Sequence, residues 1–249
     1  MVFIACRLNG ISLTSVNLSG LNPNLSISKE LFLKSIPISL ASGVSQINLV
    51  VGRQISSLFD GAMVWLIYAD RLAQLPIALI GVALNVVTLP KLSSLKKSGR
   101  KVEGNSYLNR SMQLSLIFAL PASVGLIYLN FEIISSLFQR GNFLVNDAIQ
   151  TSKALSIYSL SIIPISLQML LLNFYFAEKN IRIPFYYSLA SVFLNVSLAY
   201  TLLDTFKFLA PPIAYAITNW LVFISLVFHT YKFGFYFNSA FKQALPRIV

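Results

Sequence analysis

The sequence predicts an all-α polytopic membrane protein, a six-helix transmembrane bundle, and two observations carry that prediction. Hydrophobic residues make up 56% of the 249 and charged residues only 11%, with a mean hydropathy of +0.71, which lies outside the range of water-soluble domains. The apolar residues also fall in long continuous runs, and roughly 20 residues at 1.5 Å each cross a hydrocarbon core of ~30 Å. A transmembrane β-barrel would instead alternate over segments of about ten residues. Cys6 and His229 are the chain's single cysteine and histidine, too few for a zinc site, a disulfide or a Cys/His dyad. No cofactor or metal is expected, and a membrane enzyme, which would need clustered histidines or carboxylates, is not expected either.

Residues 1–28 begin with the short apolar run MVFIAC and continue rich in Asn, Ser and Gly. They read as a polar linker after the truncated end of a preceding helix, because the run is too short for a signal-peptide core and no basic residue precedes it. A six-helix lobe over 29–233 follows, with crossings at about 31–59, 61–94, 111–129, 151–176, 184–203 and 211–231. The first crossing carries Ser35, Ser39, Ser42, Gln46, Arg53 and Ser57 within about 40° of Gln46 on a helical wheel, a polar stripe on an otherwise apolar helix. Asp60-Gly61 then supplies a tight turn into the second.

That second run, GAMVWLIYADRLAQLPIALIGVALNVVTLPKLSS, holds Asp70 and Arg71 near its middle. A charge at that depth costs at least ~2.5 kcal/mol, so such residues face a partner or a wet cavity. Tyr68, Arg71, Gln74, Ala78 and Asn85 fall within about 60° of Arg71 on the wheel, with Asp70 and Gly81 flanking them. The pair either lines a cavity or forms an ion pair neutralised inside the bundle. Arg53 lies about seven residues before the turn and Asp70 about ten after it, an axial offset of roughly 5 Å. Arg53 therefore either pairs with Asp70 or snorkels to the nearby surface. Pro76 has no N–H and its ring meets the carbonyl of Leu72, so a kink or local opening is expected below the charges.

Lys91 to Arg110 reads as a basic loop, Asn130 to Gln150 as a connection, and Glu178, Lys179 and Arg182 as a charged turn. Pro121 and Pro164 interrupt the third and fourth crossings, and Ser152, Ser156, Ser159, Ser166 and Asn173 share a face of the fourth. Pro184 and Pro211-Pro212 suit the first turns of the last two, and His229 near the end of the sixth suits an interfacial role. Residues 234–249 form a basic, aromatic tail that leads towards a missing helix. One side of the membrane collects fourteen basic residues, namely Arg7, Lys29, Lys34, Lys91, Lys96, Lys97, Arg100, Lys101, Arg110, Lys179, Arg182, Lys232, Lys242 and Arg247; the other has three, Arg140, Lys153 and Lys207. That asymmetry makes the first side cytoplasmic. It also accounts for the net charge of +11 without nucleic acid as a partner.

From Lys29 onwards the chain resembles the second half of the MurJ/MviN family, the lipid II flippases of peptidoglycan synthesis, within the multidrug/oligosaccharidyl-lipid/polysaccharide exporter superfamily. The residues that carry the resemblance are Gly43-Val44-Ser45-Gln46-Ile47-Asn48-Leu49, Tyr68-Ala69-Asp70-Arg71-Leu72 with Pro76, Gly81-Val82-Ala83-Leu84, Leu89-Pro90-Lys91-Leu92-Ser93, Ala119-Leu120-Pro121-Ala122, Leu137-Phe138-Gln139-Arg140-Gly141, Phe174-Tyr175 and Ile181-Arg182-Ile183-Pro184. The resemblance implies one lobe of a two-lobe flippase, in which a cationic cavity lies between two six-helix lobes and this chain supplies the seventh to twelfth helices. It implies that Arg71 helps to hold the lipid pyrophosphate, with Asp70 beside it, and carries no role over to Arg53.

The expected function is translocation of a lipid II headgroup across the bacterial inner membrane by alternating access. Arg71, Asp70, Gln74, Tyr68, Gln46, Arg53 and Asn85 are the candidate substrate-binding residues. Guanidinium groups bind phosphate oxygens in bidentate fashion, and polar stripes suit a sugar-peptide headgroup. The expected partners are lipid II or a similar polyprenyl-pyrophosphate lipid, the bilayer, and an N-terminal lobe from the same gene or a separate chain. Two alternatives stand beside this: an exporter of another polyprenyl-linked saccharide or of a drug cation, and a structural subunit or non-functional fragment.

Overall fold

A computed structural model describes residues 50–236, all within one compact unit that spans Ala41–Val249. Gln46, Cys6 and most of the first expected crossing lie outside the described residues; residues 50–56 are helical and lead into a turn at 57–61. Gly61 closes that turn at φ +79°, where a Cβ would approach the Trp65 ring to 2.8 Å. Glycine is therefore required there both for its left-handed backbone and for the space its missing side chain leaves.

The helices that follow are α1 (Ala62–Pro76), a π-helical segment (Ile77–Val82), α2 (Ala83–Lys97), α3 (Lys101–Tyr128), α4 (Asn130–Phe138), α5 (Val145–Ser159), α6 (Ile162–Ala177), α7 (Arg182–Thr201), the single turn α8 (Leu203–Phe206) and α9 (Ala210–Lys232). Grouped without their short interruptions, they make five stretches long and apolar enough to cross a membrane: Ala62–Lys97, Lys101–Tyr128, Val145–Ala177, Arg182–Thr201 and Leu203–Lys232. These correspond to the last five expected crossings. The chain is an all-α, multi-pass membrane protein.

The element boundaries differ from expectation in two places. The basic stretch from Lys91 to Arg110 is mostly helix, broken at 98–100, because Lys and Arg are good helix formers that extend a span beyond the bilayer into water. Likewise Asn130 to Gln150 contains α4 and the start of α5. Asp147 in the first turn of α5 accepts the N–H of Leu144 at 2.8 Å, which helps to start that helix several residues before the apolar run. The first residues of the C-terminal tail are held in place: Phe235 is fully buried, and Asn105 and Asn109 of α3 donate to the carbonyls of Gly234 and Tyr236 at 3.0 and 2.9 Å.

Packing runs through α1 on α5, α2 on α3 and α6, α3 on α6, and α9 on α6 and α7. The buried apolar side chains separate into two main tiers. One centres on Leu92, Leu108, Met112, Leu170, Phe174 and Tyr175; the other on Leu66, Ala69, Leu72, Ile134, Ala148 and Leu155. A smaller cluster joins Ile55, Ala199 and Ala214.

Proline chemistry explains what lies between the tiers. Pro76 leads into the π-helical segment, the local opening expected where a helix loses an N–H and gains a ring. Pro164 cannot donate to the Leu160 carbonyl, and the chain breaks at Leu160–Ser161 between α5 and α6. The exposed carbonyls are met by neighbours, since Trp220 Nε1 donates to Leu160 O at 3.1 Å and Ser123 Oγ to Ser159 O at 2.7 Å. In a bilayer such backbone groups find no water, so side-chain donors substitute. Gly81 packs so closely on α6 that a Cβ would lie 3.3 Å from the Ser166 Cα. These two cross-contacts, with a rise of 1.5 Å per residue, put Pro76, Pro121 and Pro164 within about one helical turn of each other in height.

His229 is hydrogen-bonded near the end of α9. The fully buried Tyr175 meets His229 Nδ1 at 2.7 Å and Thr230 Oγ1 at 3.0 Å. Thr230 Oγ1 itself donates to the Leu226 carbonyl at 2.6 Å.

A candidate anion-binding cavity

The upper half of α1 turns Met63, Leu66, Ile67, Asp70, Arg71 and Gln74 towards a cavity of about 260 Å³, completed by Gly52, Arg53 and Ser56, Tyr158 of α5, Asn195 and Ala199 of α7, and Pro211 and Tyr215 of α9. Its walls come from helices that converge because α1 packs on α5 and α9 packs on α7. Tyr158 and Tyr215 meet edge to face at 5.8 Å, so their phenol-bearing rings form one wall. Asn195 is buried and turned to the cavity. The lining is mostly neutral and hydrogen-bonding around three charged groups.

The charges are not paired as salt bridges. Gln74 Nε2 donates to Asp70 Oδ2 one turn away. Neither the Arg53 nor the Arg71 guanidinium has an ion-pair or hydrogen-bonding partner among the described residues. The alternative in which Arg53 neutralises Asp70 across the turn is therefore not the arrangement found: both residues line one space, and the amide of Gln74 takes the carboxylate instead. Among the described residues, the result is a cavity with two guanidinium groups that make no hydrogen bond or salt bridge and one carboxylate hydrogen-bonded to Gln74. Guanidinium groups present forked donors suited to carboxylate or phosphate oxygens.

Of the seven candidate residues, Arg53, Asp70, Arg71 and Gln74 come together here. Gln46 lies outside the described residues. Tyr68 does not join the others: it faces a different cavity, where its ring stacks on Phe138 at 4.5 Å. Asn85 also falls elsewhere, on α2, where its backbone carbonyl accepts from Asn173 Nδ2 at 3.4 Å. Asn85 lies eleven residues beyond Gln74 along the span, roughly 16 Å at 1.5 Å per residue, a separation that a helical wheel does not record. Tyr158, Tyr215, Asn195 and Ser56 were missed. Asn195 had a signal in the sequence, as a carboxamide in the middle of an apolar span; the two tyrosines did not differ from interfacial or packing aromatics until the helices were placed.

Comparison with known proteins identifies the family. The family model described as "Lipid II flippase MurJ" matches residues 16–249. A probable lipid II flippase MurJ of Rhizobium tropici is 34% identical over 234 residues, covering 94% of this chain and 43% of the relative. The corresponding protein of Rickettsia prowazekii is 29% identical, covering 86% of this chain and 40% of its own length. A solved structure of "Lipid II flippase MurJ, inward closed conformation" superposes with a TM-score of 0.72 at 30% identity, over 78% of this chain and 41% of that one. This chain thus spans about two fifths of the length of the relatives it matches. Matched over nearly all of its residues, the chain belongs to the lipid II flippase MurJ family.

Proposed function

We propose that this chain is the C-terminal lobe of a flippase for lipid II, moving the polyprenyl-pyrophosphate headgroup across the bacterial inner membrane by alternating access, with a second lobe completing the cavity. The observation that supports this reading is that Arg53 and Arg71 line one cavity with, among the described residues, no hydrogen-bond or salt-bridge partner for either guanidinium. Their charge outweighs the single carboxylate of Asp70, so the cavity is a receptor for an anion. Export of a drug cation would call for the opposite balance. Another polyprenyl-linked saccharide shares the pyrophosphate and stands as the second reading.

The test is reconstitution. Proteoliposomes that contain this chain together with the first lobe of its R. tropici relative should make fluorescent lipid II accessible to an impermeant quencher from both leaflets. The same should hold, at a different rate, for an undecaprenyl-pyrophosphate carrying another saccharide. Equal movement of an ordinary phospholipid, or of neither lipid, would defeat the proposal.

The orientation follows from the basic asymmetry: the α2–α3 turn at 98–100 faces the cytoplasm and the segment around Arg140 faces the other side. In a Cys6→Ser background, a cysteine replacing Ser98 should escape an impermeant thiol reagent in intact cells, whereas one replacing Asn142 should react. The reverse pattern would invert the topology.

A further inference from the structure

The lobe has a second cavity, of about 630 Å³, on a different face of α1, lined by Gly61, Val64, Trp65, Tyr68, Phe138, Arg140, Asn142, Phe143 and Asp147. That volume falls within the range of small-molecule sites, ≈ 300–1,000 Å³. Three aromatic rings form its wall: Tyr68 lies parallel to Phe138 at 4.5 Å with 2° between the planes, and Phe143 leans on them at 5.7 and 6.4 Å. The Trp65 indole is fixed in place as well, since its Nε1 donates to Asp147 Oδ1 at 2.8 Å and Phe208 meets it edge-on at 5.3 Å. The other oxygen of Asp147 takes the Leu144 N–H at 2.8 Å, so both oxygens of this carboxylate are engaged.

What remains unengaged is specific. Among the described residues, the Arg140 guanidinium, the Asn142 carboxamide and the Tyr68 hydroxyl have no hydrogen-bond or ion-pair partner, although all three border this one space. An aromatic belt that only anchors a protein at the membrane interface has no need of a hollow behind it. Here rigid ring faces, which favour the C–H faces of a sugar ring, adjoin a forked cation and two neutral hydrogen-bonding groups.

We propose that this cavity is a binding site for a saccharide bearing a negatively charged group, with the ring packed on Trp65 and Tyr68 and the anion held by Arg140 and Asn142. The site stands on its own cavity and does not depend on the flippase reading, so failure of transport would leave it untouched.

The experiment is a tryptophan-emission titration of the full chain in phosphatidylcholine nanodiscs, with Trp65→Phe subtracted so that only the cavity's indole is read. Glucose 1-phosphate should give a saturable change, and glucose or inorganic phosphate alone should bind at least tenfold more weakly. Arg140→Gln should weaken glucose 1-phosphate at least tenfold, and Tyr68→Phe, which keeps the ring stack, by a smaller factor. No saturable response to glucose 1-phosphate, a response unchanged by Arg140→Gln, or inorganic phosphate binding as tightly as the sugar phosphate would each overturn the saccharide site.

Discussion

Arg71→Ala should lower lipid II transport roughly 10- to 100-fold when the lobe works in its complete carrier. A charge-assisted hydrogen bond is worth about 1.5–3 kcal/mol, and each 1.4 kcal/mol is a factor of ten. Arg71→Lys should recover only part of that loss, because a point charge replaces a planar fork. The competing role is structural, with Arg71 serving only to balance Asp70. The two roles separate in the double variant Asp70→Asn/Arg71→Gln, which removes both charges and leaves a neutral cavity wall. Normal membrane levels with transport still at the Arg71→Ala rate are the expected result, and wild-type transport by the double variant would eliminate the ligand-binding role. Gln74 already holds the Asp70 carboxylate, which is why loss of the arginine is not expected to unfold the lobe.

The second large effect is that this chain alone does not rescue a strain depleted of its flippase, whereas the chain with a co-expressed first lobe does. Arg53 and Arg71 are both exposed within a single lobe, and a charged face in a bilayer is tolerated only against protein or water. In the proposed two-lobe carrier this chain supplies one wall of the cavity and the first lobe supplies the other. Alternating access also requires two bodies that move around a shared midplane site. The isolated chain should melt below the pair as well, because its polar face has no partner. Growth of the depleted strain on this chain alone would contradict the argument.

Much of this was legible in the residues. Continuous apolar runs gave the membrane-spanning helices, and Pro76 marked the place where the second one opens. Asp70, Arg71 and Gln74 were found together because they lie above that opening, where the α-helical period still holds. Asn85 was not, because a wheel shows angle and not height, and it lies about three turns further along the span. Arg53 was left open between pairing with Asp70 and snorkelling to the surface, since a wheel and an axial offset do not record that Gln74 hydrogen-bonds the Asp70 carboxylate. Tyr158, Tyr215 and Asn195 come from three different helices, and only the packing of α5, α7 and α9 shows that they border one space.

The alignment of Pro76, Pro121 and Pro164 gives the lobe a plane of low bending stiffness. At that height the spans have already lost backbone hydrogen bonds, and two of the released carbonyls are held by the side chains of Trp220 and Ser123, which can pivot. The two main apolar clusters lie on either side of this height. Two of the spans, those of Pro76 and Pro164, are interrupted near that height, while α3 continues through Pro121 as one helix and α9 is uninterrupted, so bending there is easiest in the first two. The cavity-lining residues of α1, Met63 to Gln74, all precede Pro76, so flexure at this proline swings the charged segment of α1 relative to the rest of its span without unwinding it.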